Sequence, residues 1–122
     1  MKKLLIILST AILLSGCSSV FSILKLLPRT YDPMLGSMYV GVKIDVDGLS
    51  CKDYIPDQWK IAQFDAKRLA AYSLFRKDPQ ADNAFSVEKN LVSAIEKPEI
   101  CDNYLKVVKI RLEILNKAWG SR

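Results

Sequence analysis

Met38-Tyr39-Val40-Gly41-Val42-Lys43-Ile44-Asp45-Val46-Asp47 admits two readings, and the choice between them decides the fold. Val40, Val42, Ile44 and Val46 alternate with Gly41, Lys43, Asp45 and Asp47, which is the period of a half-buried strand. Leu35, Met38, Val42 and Leu49, with Tyr39 and Val46 alongside, fall instead on one stripe of a helix. Gly36 and Gly41 count against the helix by roughly 1 kcal/mol each relative to alanine. A strand, however, needs a partner for its backbone N–H and C=O groups, and no second convincing strand occurs elsewhere in the sequence. A helix over 33–49 is therefore predicted. Asp32-Pro33 gives it a start, with a carboxylate free to cap and a proline at the first helical position, where a missing N–H costs nothing.

Three more helices follow from the same periodicity. The second is expected to be capped by Asp57 and to run to about Arg76, with Trp59, Ile61, Phe64, Leu69, Tyr72 and Phe75 as its apolar surface. Beside them Ala62, Ala66, Ala70 and Ser73 form a narrow face that another helix can approach closely. Asp78-Pro79-Gln80 reads as a turn. The third helix begins near Asp82, a candidate cap, and presents Ala84, Val87, Leu91, Ala94 and Ile95 until Lys97-Pro98 ends it. Pro98 can open the fourth, with Glu99 beside the positive end of the backbone dipole. Cys101, Tyr104, Leu105, Val108, Leu112, Leu115 and Trp119 make the clearest stripe of the chain, and Gly120 lies just past its end. The expected architecture is all-α, a small up-down four-helix bundle over 32–122.

What precedes the bundle is of a different kind. Lys2 and Lys3, the apolar run Leu4 to Leu14, and then Ser15-Gly16-Cys17 have the charged, apolar and small-residue regions of an export signal. The uncharged stretch from Leu4 to Leu24 is interrupted by Ser9, Thr10, Ser15, Gly16, Ser18, Ser19 and Ser22, unlike the ~20 consecutive apolar residues of a spanning helix. Leu14-Ser15-Gly16-Cys17 resembles the lipobox of bacterial lipoproteins. The resemblance covers the first 18 residues and implies that residues 1–16 are removed, that Cys17 carries a diacylglyceryl group on its sulfur, and that the new amine is acylated in turn. It also implies a destination: Ser18 stands where an aspartate would retain the protein at the inner membrane, so the inner leaflet of an outer membrane, facing the periplasm, is expected. Two or three acyl chains hold a protein at a bilayer essentially for good, since each buried methylene contributes ~0.8 kcal/mol. Residues 17–31 then form the lipidated terminus and tether. Val20, Phe21, Ile23, Leu24, Leu26 and Leu27, with Lys25 and Arg29, suit either the lipid interface or docking on the domain.

An exported chain meets an oxidising compartment, so Cys51 and Cys101 are expected to be a disulfide. They are not spaced as C-x-x-C, and the chain has no histidine to activate a thiol. In an up-down bundle the end of the first helix and the start of the fourth lie at the same end, on neighbouring helices, and those are the places of Cys51 and Cys101.

The charge excludes one class of partner. Loss of residues 1–16 removes two of the 18 basic side chains and none of the 13 acidic ones, taking the net charge from +5 to +3. The basic residues are not clustered with interleaved aromatics, so nucleic acid is not an expected partner. Enzymatic chemistry has no evident carrier either, since without histidine a neutral-pH base would have to be a strongly shifted carboxylate or lysine. Asp45-Val46-Asp47-Gly48 lacks a further oxygen ligand at Leu49 and the closing glutamate of a calcium loop, so no metal is expected, and no glycine-rich loop suggests a nucleotide cofactor. Asp65 with Arg68 and Lys109 with Glu113 are spaced as exposed helical ion pairs. The expected function is a non-enzymatic, lipid-tethered module that binds another envelope component or takes a structural place in an envelope assembly, with Trp59 and Trp119 as candidate contacts beside Tyr72 and Phe75. A carrier of lipid or cell-wall fragments, a small envelope enzyme, and a phage- or plasmid-encoded exclusion lipoprotein remain open alternatives.

Overall fold

A computed structural model describes residues 32–120, which lie within one compact unit, Tyr31–Arg122. The ambiguous stretch is helical: α1 spans Pro33–Asp47. Its start is as expected, with the Asp32 carboxylate accepting from Met34 N at 2.9 Å and Leu35 N at 3.3 Å. Gly48 closes the helix two residues earlier than the hydrophobic stripe suggested, leaving Leu49 buried just beyond it. Gly41 tolerates its place because a Cβ there would meet nothing, so its cost is entropic alone.

α2 spans Pro56–Phe75, α3 Ala81–Glu96 and α4 Cys101–Gly120. Each helix packs on the next, and α4 returns to α1 across a thinner seam. Three long-range contacts fix the antiparallel order. The Cys51–Cys101 disulfide, with Cα atoms 6.0 Å apart, joins the end of α1 to the start of α4. Tyr39, in the second turn of α1, meets Trp119 near the end of α4 edge-to-face at 5.9 Å. Tyr72, near the end of α2, donates its hydroxyl to the Asp32 cap at 2.9 Å. Among the described residues there is no strand, and the fold is the four-helix bundle expected.

Several expected boundaries shift. Asp57 does not cap α2; the helix starts at Pro56 after Ile55, which makes no side-chain cap, and Asp57 sits in the first turn, where its charge faces the helix dipole. Asp82 likewise lies within the first turn of α3, after Gln80. Pro98 opens a separate 3₁₀ turn, Pro98–Ile100, and the α-helix begins at Cys101, so the half-cystine is the first residue of α4. Gly120 is the last described residue of α4 rather than its terminator.

α2 ends at Phe75, close to the expected Arg76, and is closed by a left-handed residue that is not glycine. Lys77 adopts φ 51°, the left-handed region that glycine normally fills after a helix. Asp78 N then reaches Ser73 O and Lys77 N reaches Leu74 O, each at 2.9 Å, which satisfies the last carbonyls of the helix. Asp78 turns inward at 7% exposure, accepting from Gln80 N at 2.8 Å and Trp119 Nε1 at 3.2 Å.

The core face of α2 is the largest correction. Trp59 and Leu69 are buried, but Ala62, Ala66, Ala70 and Ser73 supply the rest of the buried face, while Ile61, Phe64 and Phe75 point outward. Small side chains let α2 sit close to its neighbours, so the bulk of the core comes from Leu91, Val87, Val108, Leu112 and Leu115 opposite. Ser73 is accommodated there because its hydroxyl donates to Leu69 O at 2.7 Å.

Candidate interaction surface

The two tryptophans expected as partner contacts are not on the surface. Trp59 is 1% exposed and belongs to the core, packed near Tyr54 at 5.8 Å. Trp119 is 6% exposed, enclosed by Tyr39 and hydrogen-bonded to Asp78. Both rings are taken up by the core, and neither is available as a surface contact. Tyr72 is half-buried against the Asp32 cap, whereas Phe75 is 80% exposed.

What the bundle does display is a stripe along the outer face of α2. Ile61, Phe64, Arg68 and Phe75 recur at spacings of three, four and seven, so they share one side of the helix. Phe64 is 62% exposed, and the Arg68 guanidinium lies over its ring at 5.8 Å while also approaching Asp65 at 3.7 Å. Arginine stacked on an aromatic ring and lightly held by a carboxylate is a ready interface anchor, because it has already lost part of its rotamer freedom. Across the α1–α2 seam Ile44 extends the stripe, and Ile44, Asp45, Gly48, Gln58 and Ile61 line an open groove of about 200 Å³.

Beneath that groove Asp45 carries an unusual carboxyl. Burial, a hydrogen bond shared with Asp65 and the charge of that second carboxylate push Asp45 above the ordinary carboxylate range. Its Oδ2 is buried with no hydrogen-bond partner. Carboxyls from two adjacent helices thus lie against each other at Asp45 and Asp65, and no cluster of three potential metal ligands exists among the described residues. Asp32 goes the other way. Partial burial pushes its carboxyl up, but the Tyr72 hydroxyl, the Leu35 and Met34 amides and Arg76 at 3.1 Å outweigh this and lower it.

The expected Asp65–Arg68 pair is present, and among the described residues no ion pair within 4 Å joins Lys109 to Glu113. Cys17 and the tether lie outside the described residues. No described helix is long and apolar enough to cross a membrane. Comparison with protein-family models, with curated proteins and with solved structures returns no match for the chain.

Position and chemistry explain why the sequence misplaced the surface. Tryptophan is a common interface anchor, but a helix whose stripe of alanines can be buried will bury it and turn its phenylalanines out whenever the neighbouring helices provide the bulk. The narrow Ala62, Ala66, Ala70, Ser73 face expected from the sequence is the face that packs, which leaves the phenylalanines beside it outside.

Proposed function

We propose that this chain is a lipid-anchored, non-enzymatic interaction module of the bacterial envelope, held by acyl chains on Cys17 and binding another envelope protein through the outer face of α2. The observation that carries the binding half is the exposed Ile61, Phe64, Arg68 stripe, continued by Ile44, on a helix whose own core needs are met by alanines. The lipobox Leu14-Ser15-Gly16-Cys17 supports the anchor. Tethering replaces three-dimensional search by a high local concentration, so a modest contact area suffices. An outer-membrane, periplasm-facing location follows from Ser18 by resemblance to enterobacterial lipoproteins.

The test is site-specific photo-crosslinking of the full lipoprotein in its own envelope, with the crosslinker at Phe64 and, as a control, at Lys89 on α3. One envelope protein captured stoichiometrically at Phe64, absent at Lys89 and lost when Ile61→Ser is added, is the expected result. Capture of lipid alone at Phe64, or the same yield at both positions, contradicts it.

A further inference from the structure

The bundle has two chemically unlike ends. The end that holds the disulfide is built from residues 47–57 and 96–102. It exposes Asp47, Asp53, Asp57, Glu96, Glu99 and Asp102 against Lys52 and Lys97. The opposite end consists of the start of α1, the α2–α3 turn and the end of α4, and the chain arrives there from residue 31. Its cations Arg76, Lys77 and Lys117 are exposed, with Arg76 paired to Asp32, and are formally balanced by Asp32, Asp78 and Asp82, of which Asp32 faces Tyr72 and Arg76 and Asp78 faces Trp119, so this end is neutral where the disulfide end is acidic. Asp82 remains as its exposed acid among the described residues. This same end exposes Met34, Leu74 and Phe75, with Phe75 the most exposed large apolar side chain described. Lys77, two residues after Phe75, holds a left-handed conformation that glycine would adopt at lower cost.

We infer that this tether-proximal end is a lipid-contacting face, seated on an anionic phospholipid surface with Phe75, Leu74 and Met34 in the interfacial region and Lys77 at the level of the phosphates. The inference rests on the lipid-anchored reading of Cys17. Residues 18–31 alone separate that cysteine from Asp32, and their Val20, Phe21, Ile23, Leu24, Leu26 and Leu27 favour the interface themselves, bringing the first turn of α1 close to the bilayer. Charge then orients the domain. An anionic leaflet attracts cations lying within a Debye length and repels the carboxylate-rich end, so the bundle stands with its disulfide outward. The Ile61, Phe64, Arg68 stripe consequently faces sideways, toward neighbours in the envelope.

Quenching of tryptophan by brominated lipid tests this. The full lipidated protein carrying Phe75→Trp, or Phe64→Trp for comparison, is reconstituted into phosphatidylethanolamine–phosphatidylglycerol vesicles with brominated acyl chains. Emission is read as the difference from the parent chain, whose Trp59 and Trp119 are buried. The tryptophan at 75 is expected to lose most of its emission, the one at 64 to lose little, and Lys77→Glu to weaken the loss at 75. If the protein floats with the vesicles and bears acyl chains on Cys17, yet position 75 is unquenched, the orientation is wrong while the anchor stands. Unquenched but blue-shifted emission at 75 assigns the patch to a protein or a second copy instead. Quenching at 64 in place of 75 means that the bundle lies on its side, and also overturns the inference. Absence of both acylation and flotation removes the anchor reading and this inference with it.

Discussion

Two aspartates set the pH response of the domain in opposite directions. Asp32 is held below its ordinary value of 3.8, so the stability it contributes is full above that value and is lost as pH falls through its lower folded value. Asp32→Ala should cost about 1 kcal/mol of stability at pH 7, as loss of a helix cap does, with the difference from the parent shrinking in strongly acidic buffer; denaturant melts at both pH values check this. Asp45 is raised above 3.8, so between that value and its higher folded value the folded state retains more of its proton than the unfolded chain does. Its contribution is therefore greatest in acid and is lost as pH rises through the folded value. Asp45→Asn should raise the melting temperature by a few degrees at pH 7 and leave it unchanged at a pH where the parent carboxyl is protonated in both states. Equal effects at the two pH values would show that burial of an unpaired Oδ2, not ionisation, is the cost.

At the scale of the helices, period was the reliable signal and side-chain size the misleading one. The choice of helix for 38–47 was legible because a solitary strand has nowhere to place its backbone hydrogen bonds, an argument from what is missing elsewhere in the chain. The stripes of α3 and α4 were legible because Val87, Leu91, Val108, Leu112 and Leu115 are both apolar and large. On α2 those two properties part company: one side is small and buried, the other large and exposed, and only the neighbours' bulk decides between them. The candidate site was misread for a related reason, since Trp59 and Trp119 are large side chains that the core takes in. Ala66→Leu should thus destabilise by about 1–3 kcal/mol through overpacking, while Phe64→Ser should change stability by less than about 0.5 kcal/mol. Chemical denaturation of both variants measures the contrast, and equal losses would place Phe64 in the core.

For the whole molecule, one covalent link closes the bundle where it is otherwise thinnest. α1 touches α4 less extensively than it touches α2, and the Cys51–Cys101 bridge spans that seam across 50 residues of chain. Replacing both cysteines with alanine should cost about 4 kcal/mol in the chain-entropy model, a large share of the ~5 to 15 kcal/mol that stabilises a typical domain. The loss should appear as a lower denaturation midpoint with the helical circular dichroism retained at low denaturant. A bridge of this kind suits an oxidising compartment, which the proposed export would supply. Proposed anchoring at Cys17 underlies both the envelope role and the orientation of the bundle, and mass spectrometry of the amino-terminal peptide from membrane-extracted protein tests it most directly. A mature chain beginning at Cys17 with a diacylglyceryl group on its sulfur is expected. A free thiol at that cysteine, or a chain still carrying residues 1–16, would contradict it.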